Sequence, residues 1–177
     1  VSDLVETERL RLRAPKESDL EALHRLQRDP EMMRDMADGH VYSLAESERW
    51  LQEHIDVRSE RGFGVWCVEL KSNSDVIGWI DLALPDWFPA LLPDPEIGWF
   101  IDQRQWAKGL ATEGAAAALR VAFDELGFER ISAICKVENV ASARVMEKIG
   151  MSFVEERPHP RLSFPLKIYV ITLEEAS

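Results

Sequence analysis

Apolar and polar residues alternate across residues 8–14, where Leu10, Leu12 and Ala14 interleave with Arg9, Arg11 and Arg13. That period of two is the mark of a half-buried strand, and Pro15 ends it. Ser18 suits the N-cap of a short helix carrying Leu20, Leu23 and Leu26 on one face and closed by Asp29-Pro30. A second helix is expected from Ser43 through Trp50, Leu51 and Ile55 to just before Gly62. Residues 63–70 and 76–84 are rich in Val, Ile and Trp and flank a polar connection, so they predict a hairpin. Residues 85–95 contain Pro85, Pro89, Pro93 and Pro95 and form a stiffened loop, followed by a strand at residues 96–102. The longest helix is expected at residues 109–127, where Ala111, Ala115, Ala118, Leu119, Ala122 and Leu126 build an apolar stripe narrow enough for close approach to a sheet. A strand at residues 130–137 precedes a short helix at residues 141–149 that stops at Gly150. Strands at residues 151–155 and 166–173 finish the chain, separated by a loop rich in Pro, His and Arg.

Short connections force the central strands to pair mostly antiparallel, while the strand–helix–strand unit around the long helix can form a parallel right-handed crossover. The fold class expected is therefore α+β, a single mixed, mostly antiparallel central sheet flanked by helices. Its 177 residues, without internal repeat or linker, read as one domain over residues 1–177.

Twenty-one basic against 32 acidic residues leave a net charge of −11. Such a surface repels nucleic acid and anionic membranes and favours cationic partners such as protonated amines. Acidic Asp35, Asp38 and Asp86 sit in loops that could attract such an acceptor. Cys67 and Cys135 lie in apolar stretches and read as buried free thiols. With no CxxC, HExxH or clustered histidines, no metal is expected. The first residues lack the apolar core of a signal peptide, no apolar run reaches the length of a membrane span, and a cytoplasmic location follows as the default.

Two segments carry chemistry. In residues 106–113 (WAKGLATE), Gly109 permits a sharp turn and close backbone approach, and Ala107 and Ala111 keep bulk away. The amides from Lys108 to Thr112 lack intrahelical partners and lie at the positive end of the helix dipole, a site for phosphate. Lys108 adds a cation; an ordinary helix start with a glycine turn is the alternative. The P-loop pattern GxxxxGK[ST] is absent. Residues 109–114 match a loose G-x-A-x-x-G dinucleotide fingerprint, but they do not follow the strand directly, as that fingerprint requires. In the second segment Asn139 and Ser142 stand three apart at a strand–helix junction, where both residue types also serve as N-caps.

Taken together, W-x-K-G-x-A-T-E and, about thirty residues on, E-N-x-x-S-x-R-V-M-E-K-I-G-M strongly resemble the GNAT superfamily of acyl-CoA-dependent N-acetyltransferases, in its RimJ/RimL-type branch. The opening ETERLRLR, the strand EIGWFI and the closing RPHPR…KIYVITL fit that branch, so the likeness spans nearly the whole chain. The chain departs from it at Ala107, where the branch commonly has Gly, and in the proline-rich loop.

The resemblance implies acetyl transfer from acetyl-CoA (coenzyme A) to a primary amine by direct attack of the neutral amine on the thioester. The acceptor it implies is a protein N-terminus of ribosomal-protein type or a small amine. The alternative is a non-catalytic acyl-CoA-binding or sensing domain. By the same resemblance, backbone groups of Trp99, Phe100 and Ile101 pair with pantetheine. Ala107, Lys108, Gly109, Leu110, Ala111 and Thr112 hold the pyrophosphate, Asn139 contacts the pantetheine arm, and Ser142 lies near the sulfur. An α-amine of pKa about 8 is roughly a tenth neutral at pH 7, whereas a lysine at about 10.4 is below a thousandth. Positioning and carbonyl polarisation can therefore supply much of the catalysis. Glu96 is the candidate base, with a solvated or salt-bridged strand glutamate as its alternative. Ser142 assists the departing thiolate, and Tyr169 is an alternative acid that also reads as a core residue. Trp87 and Phe88 in the proline-rich loop read as walls of an acceptor pocket or as a homodimer contact.

Overall fold

The computed structural model describes residues 4–176; residues 1–3 and 177, included in the single-domain expectation, lie outside the described residues. Among the described residues, eight strands form one sheet. They are β1 (Leu4–Glu6), β2 (Leu10–Arg13), β3 (Trp66–Leu70), β4 (Val76–Ala83), β5 (Glu96–Ile101), β6 (Arg130–Lys136), β7 (Ser152–Pro158) and β8 (Pro165–Thr172). Their spatial order is β1-β2-β3-β4-β5-β6-β8-β7. Every neighbouring pair is antiparallel except β5 and β6, which are parallel. The helices are α1 (Leu20–Gln27), α2 (Pro30–Met33), α3 (Leu44–Arg61), α4 (Leu110–Asp124), α5 (Val140–Lys148) and α6 (Leu173–Ala176). This is the α+β mixed sheet expected, and the crossover through α4 supplies its one parallel junction.

Strand alternation sorts the core into two faces. Leu10, Leu12, Ile80, Leu82, Ile97 and Ile131 point to the face covered by the alanine-rich side of α4. The helix comes so close there that a Cβ on Gly114 would stand 2.6 Å from Ile80 Cδ1. On the opposite face, Cys67, Trp79 and Phe100 pack under α1, α2 and α3 against Leu23, Met32 and Leu51. Each fully buried side chain of this size contributes about 1.5–3 kcal/mol. The thiols of Cys67 and Cys135 are free and buried, and burial pushes both up, Cys135 to about 11.

Several boundaries differ from expectation for identifiable reasons. Ser18 is not an N-cap: it lies within a 3-10 turn (Glu17–Asp19), because Asp19 accepts a hydrogen bond from the Lys16 N–H and a two-toothed salt bridge from Arg13. Pro30 closes α1 and also opens α2, with Asp29 accepting from the Glu31 N–H as N-cap and Pro at the first helical position. By contrast α3 has the limits read from sequence, with Ser43 and Glu46 forming a reciprocal capping box and Gly62 as the left-handed C-cap. Trp87 and Phe88, expected as walls of an acceptor pocket or as an exposed homodimer contact, fold inward onto β6 and β8, and Phe88 is buried with Leu91, Leu166 and Ile168. Trp87 stays half-buried, so the exposure that motivated a homodimer contact there is reduced to part of one ring.

Candidate active site

The sheet opens at one seam. β5 and β6 pair only where Glu96 meets Ser132, held by the Ser132 N–H and hydroxyl donating to the Pro95 carbonyl at 2.9 and 3.1 Å. Beyond that point the strands part. Along a strand, successive peptide groups point to opposite edges. The Asp102 N–H donates to Ile77 on β4, which fixes the parity: even-numbered residues of β5 address β4 and odd-numbered residues address the gap. Phe100 is thus turned away, opposite Trp79 in the β4 register and with its ring stacked on Trp79 at 4.1 Å. Trp99 and Ile101 face the opening, although the Ile101 carbonyl already accepts the Trp106 indole N–H at 2.6 Å. Trp99 and the Ile101 N–H are the backbone groups left for an incoming chain of amides.

At the far end of β5, Asp102 is almost fully buried, caps the next turn through the Arg104 N–H at 3.0 Å and pairs with Arg25 at 2.9 Å. That turn delivers the loop to α4. Ala107 adopts φ +58 and Gly109 φ +78, both left-handed, so Ala107 holds a backbone conformation that Gly would reach without strain. Gly109 is the N-cap of α4 and offers no side-chain acceptor. The first amides of α4, from Leu110, Ala111 and Thr112, are therefore uncapped donors at the positive end of a 15-residue helix, a good fit for a diphosphate. The ammonium of Lys108 spends two of its three donors on the Arg104 carbonyl and Gln105 Oε1, both at 2.9 Å, and so ties down the turn.

At the start of β5, Glu96 shares one sheet face with Gly98 and, diagonally on β4, Asp81. A Cβ at Gly98 would meet nothing within 4 Å, so the space between the carboxyls is open. Burial, reinforced by the charge of Asp81, pushes the Glu96 carboxyl up to about 8; a hydrogen bond from Trp87 opposes the shift. Burial raises Asp81 as well, against the pull of His54 and the Leu82 N–H. Trp87 is held by stacking on His159, with centroids 5.0 Å apart. His159 is fixed in turn because its Nδ1 accepts the N–H groups of Arg161 and Leu162 at 3.0 Å each. A cavity of about 140 Å³ lies beside Asp81 between α3 and β4, lined by Glu53, His54, Val57, Phe63 and Ala83.

On the other lip of the gap, Asn139 Oδ1 accepts the Ser142 N–H at 3.0 Å and caps α5. The side-chain N–H groups of Asn139 remain for a ligand. Ser142 is half-buried in the first turn of α5. Tyr169 is buried in the core, and its hydroxyl lies 3.5 Å from Glu147 Oε1. Burial, aided by the Glu147 charge, raises its pKa, an environment poorly suited to giving up a proton.

Sequence reasoning missed Asp81, Trp87 as the partner of Glu96, and a clamp of Thr7, Arg9 and Glu113 on the phosphate loop. Asp81 had a legible signal, being the sole charge in an otherwise apolar strand.

A sheet that parts beside an uncapped helix start, with a raised carboxyl at the root of the gap, offers unpaired backbone donors to a phosphorylated, amide-bearing ligand. Residues 9–152 match the family described as "Acetyltransferase (GNAT) domain". The chain is 30% identical to the uncharacterized N-acetyltransferase YnaD of Bacillus subtilis, over 83% of this chain and 81% of that protein. A GNAT-family acetyltransferase from Bacillus anthracis superposes with TM-score 0.83 at 30% identity, covering 97% and 99% of the two chains. A ribosomal α-N-protein acetyltransferase, RimL, in complex with coenzyme A shares the fold at 18% identity and TM-score 0.82, covering 98% and 99%. The chain belongs to the GNAT acetyltransferase family and is an acetyl-CoA-dependent N-acetyltransferase. Among the described residues no helix is long and apolar enough to cross a membrane.

Proposed function

We propose that the enzyme acetylates a protein or peptide α-amine, with Glu96 as base and Ser142 assisting the leaving thiolate. The observation that carries this reading is the Glu96 carboxyl, placed at the root of the β5–β6 gap with a pKa of about 8. That value matches an α-amine at about 8 and lies far below a lysine at about 10.4, so a pH that ionises Glu96 also frees the α-amine while a lysine stays protonated. The face around Asp81, Glu53 and His54 lends negative potential to draw in a protonated amine. The structural likeness to a ribosomal α-N-protein acetyltransferase points the same way.

In this mechanism the amides of Trp99 and Ile101 and the side-chain N–H groups of Asn139 align the pantetheine arm. Ala107, Lys108, Gly109, Leu110, Ala111 and Thr112 hold the diphosphate, with the free amides at the start of α4 as donors. The amine gives its ammonium proton to water and attacks in its neutral form, and Glu96 takes a proton from the attacking nitrogen, directly or through water. The nitrogen bonds to the thioester carbonyl carbon and loses that proton to the Glu96 carboxylate, the C–S bond breaks, and the sulfur departs as a thiolate hydrogen-bonded by the Ser142 hydroxyl. A serine is too weak an acid to do more.

The test is thiol release from acetyl-CoA with two peptides of one sequence. One has a free α-amine and its lysines blocked; the other has a blocked α-amine and free lysines. Turnover confined to the first is expected, and equal turnover on both would refute the acceptor assignment.

A further inference from the structure

The start of α4 carries an electrostatic contradiction. Glu113 lies in its first turn, so a carboxylate stands beside the amides that fit a diphosphate, and like charges there oppose each other. The contradiction is resolved from the far end of the chain. Arg9, in the turn between β1 and β2, directs both Nε and Nη2 at Glu113 Oε2 at 2.6 Å, and its backbone N–H donates to Oε1 at 2.8 Å. The Thr7 hydroxyl adds a fourth bond at 2.6 Å. Burial works to raise Glu113, but these hydrogen bonds and the guanidinium charge outweigh it and hold the group below the usual range. It is an anion, and a neutralised one.

The same guanidinium reaches the loop itself. Arg9 Nη1 donates to the Lys108 carbonyl at 2.9 Å, and Nη2 lies 3.6 Å from where a Gly109 Cβ would stand. In a trans peptide the carbonyl and the following N–H point in opposite directions. Drawing the Lys108 carbonyl toward Arg9 therefore aims the Gly109 N–H the other way and fixes the left-handed turn that uncaps the helix. Lys108, the cation the loop itself supplies, is bound to the preceding turn instead.

We infer that Arg9 is a positioning residue for the coenzyme's diphosphate, acting through Glu113, whose charge it cancels, and through the Lys108 carbonyl, whose direction it sets. The inference rests on the diphosphate lying at the start of α4, and the experiment separates the two ideas. Calorimetric titration compares coenzyme A with S-acetylpantetheine, which carries the arm and thioester but no diphosphate, on wild type, Arg9→Gln, Glu113→Gln and the double variant. Arg9→Gln should weaken coenzyme A about tenfold and S-acetylpantetheine less than about twofold, because the uncompensated Glu113 repels only the phosphates. Glu113→Gln, which frees the guanidinium, should tighten coenzyme A about threefold. The double variant should recover most of the loss. Equal weakening of both ligands by Arg9→Gln, no weakening of coenzyme A, or a weaker coenzyme A complex in Glu113→Gln would each overturn the inference. If Arg9→Gln does not fold, Glu113→Gln and the double variant decide the matter. Wild type holding coenzyme A no tighter than S-acetylpantetheine would instead remove the diphosphate placement itself.

Discussion

Replacing Glu96 with Gln keeps its volume and hydrogen-bonding capacity while removing the proposed base. With a carboxyl pushed up to about 8, roughly a tenth of the enzyme carries ionised Glu96 at pH 7 and about nine-tenths at pH 9. A positioned general base is worth at least about a hundredfold. Multiplying that by the ionised fraction, the wild-type to Glu96→Gln ratio of kcat/KM should be about tenfold at pH 7 and approach a hundredfold at pH 9. The ionisation of the amine affects both enzymes alike and cancels in the ratio, so the rise reports Glu96 alone. The assay is thiol release from acetyl-CoA on one peptide across that pH range, with calorimetry confirming that acetyl-CoA still binds. A ratio near one, or a large ratio that does not change with pH, would show that Glu96 does not move the proton.

Asp81→Asn removes the like charge that helps raise Glu96, so the midpoint of the acid limb should fall below about 8; an unmoved midpoint in the pH–kcat/KM profile contradicts the coupling. Ala107→Gly relieves a left-handed alanine at φ +58. Against the greater flexibility of unfolded Gly, a net gain of about 0.5–1 kcal/mol is expected, seen as a Tm higher by about 2 °C, and a lower Tm refutes it. Gly109→Val forces a β-branched residue to φ +78 at the helix cap, so coenzyme A should bind at least about tenfold more weakly by calorimetry; unchanged affinity would discredit the loop as the diphosphate site.

Elements whose sequence period matches their burial were legible. The capping box at Ser43, the alanine stripe of α4 and the alternation of β2 each fix one face against the core; the capping box also fixes the limits of α3, whereas α4 stops at Asp124 rather than residue 127 and β2 spans only Leu10–Arg13. β1 spans three residues with none buried, too short for any period to register. β7 is an edge strand with both faces largely exposed, so burial imposes no alternation, and it runs to Pro158 rather than stopping at residue 155. Pro30 misled because one dipeptide serves two helices at once. Part of the site was legible too, since the free amides of α4 and the cap at Asn139 are local properties. The parity of β5 was available in principle: adjacent residues cannot both face the gap, so Trp99, Phe100 and Ile101 could never all have paired with one ligand. The Arg9–Glu113 clamp joins residues 104 apart and leaves no local trace.

What separates Glu96, the proposed base, from the chain's other buried or half-buried acids is the company it lacks. Arg13 grips Asp19 and shares Glu69 with Arg11, and both acids are held below the usual range despite their burial. Arg9 does the same for Glu113. Asp102, though buried deeply enough to be raised, has Arg25 and Arg104 on its oxygens. Among the described residues no Lys or Arg makes an ion pair with Glu96 or Asp81, and these two repel each other. An arginine there would stabilise the fold and abolish the base, because a carboxylate locked by a guanidinium has too low a pKa to take a proton from an amine. The sheet thus treats its acids in two ways. Those that hold the loops are paired with cations, and the two facing the proposed acceptor side are left for a cation that arrives with the substrate.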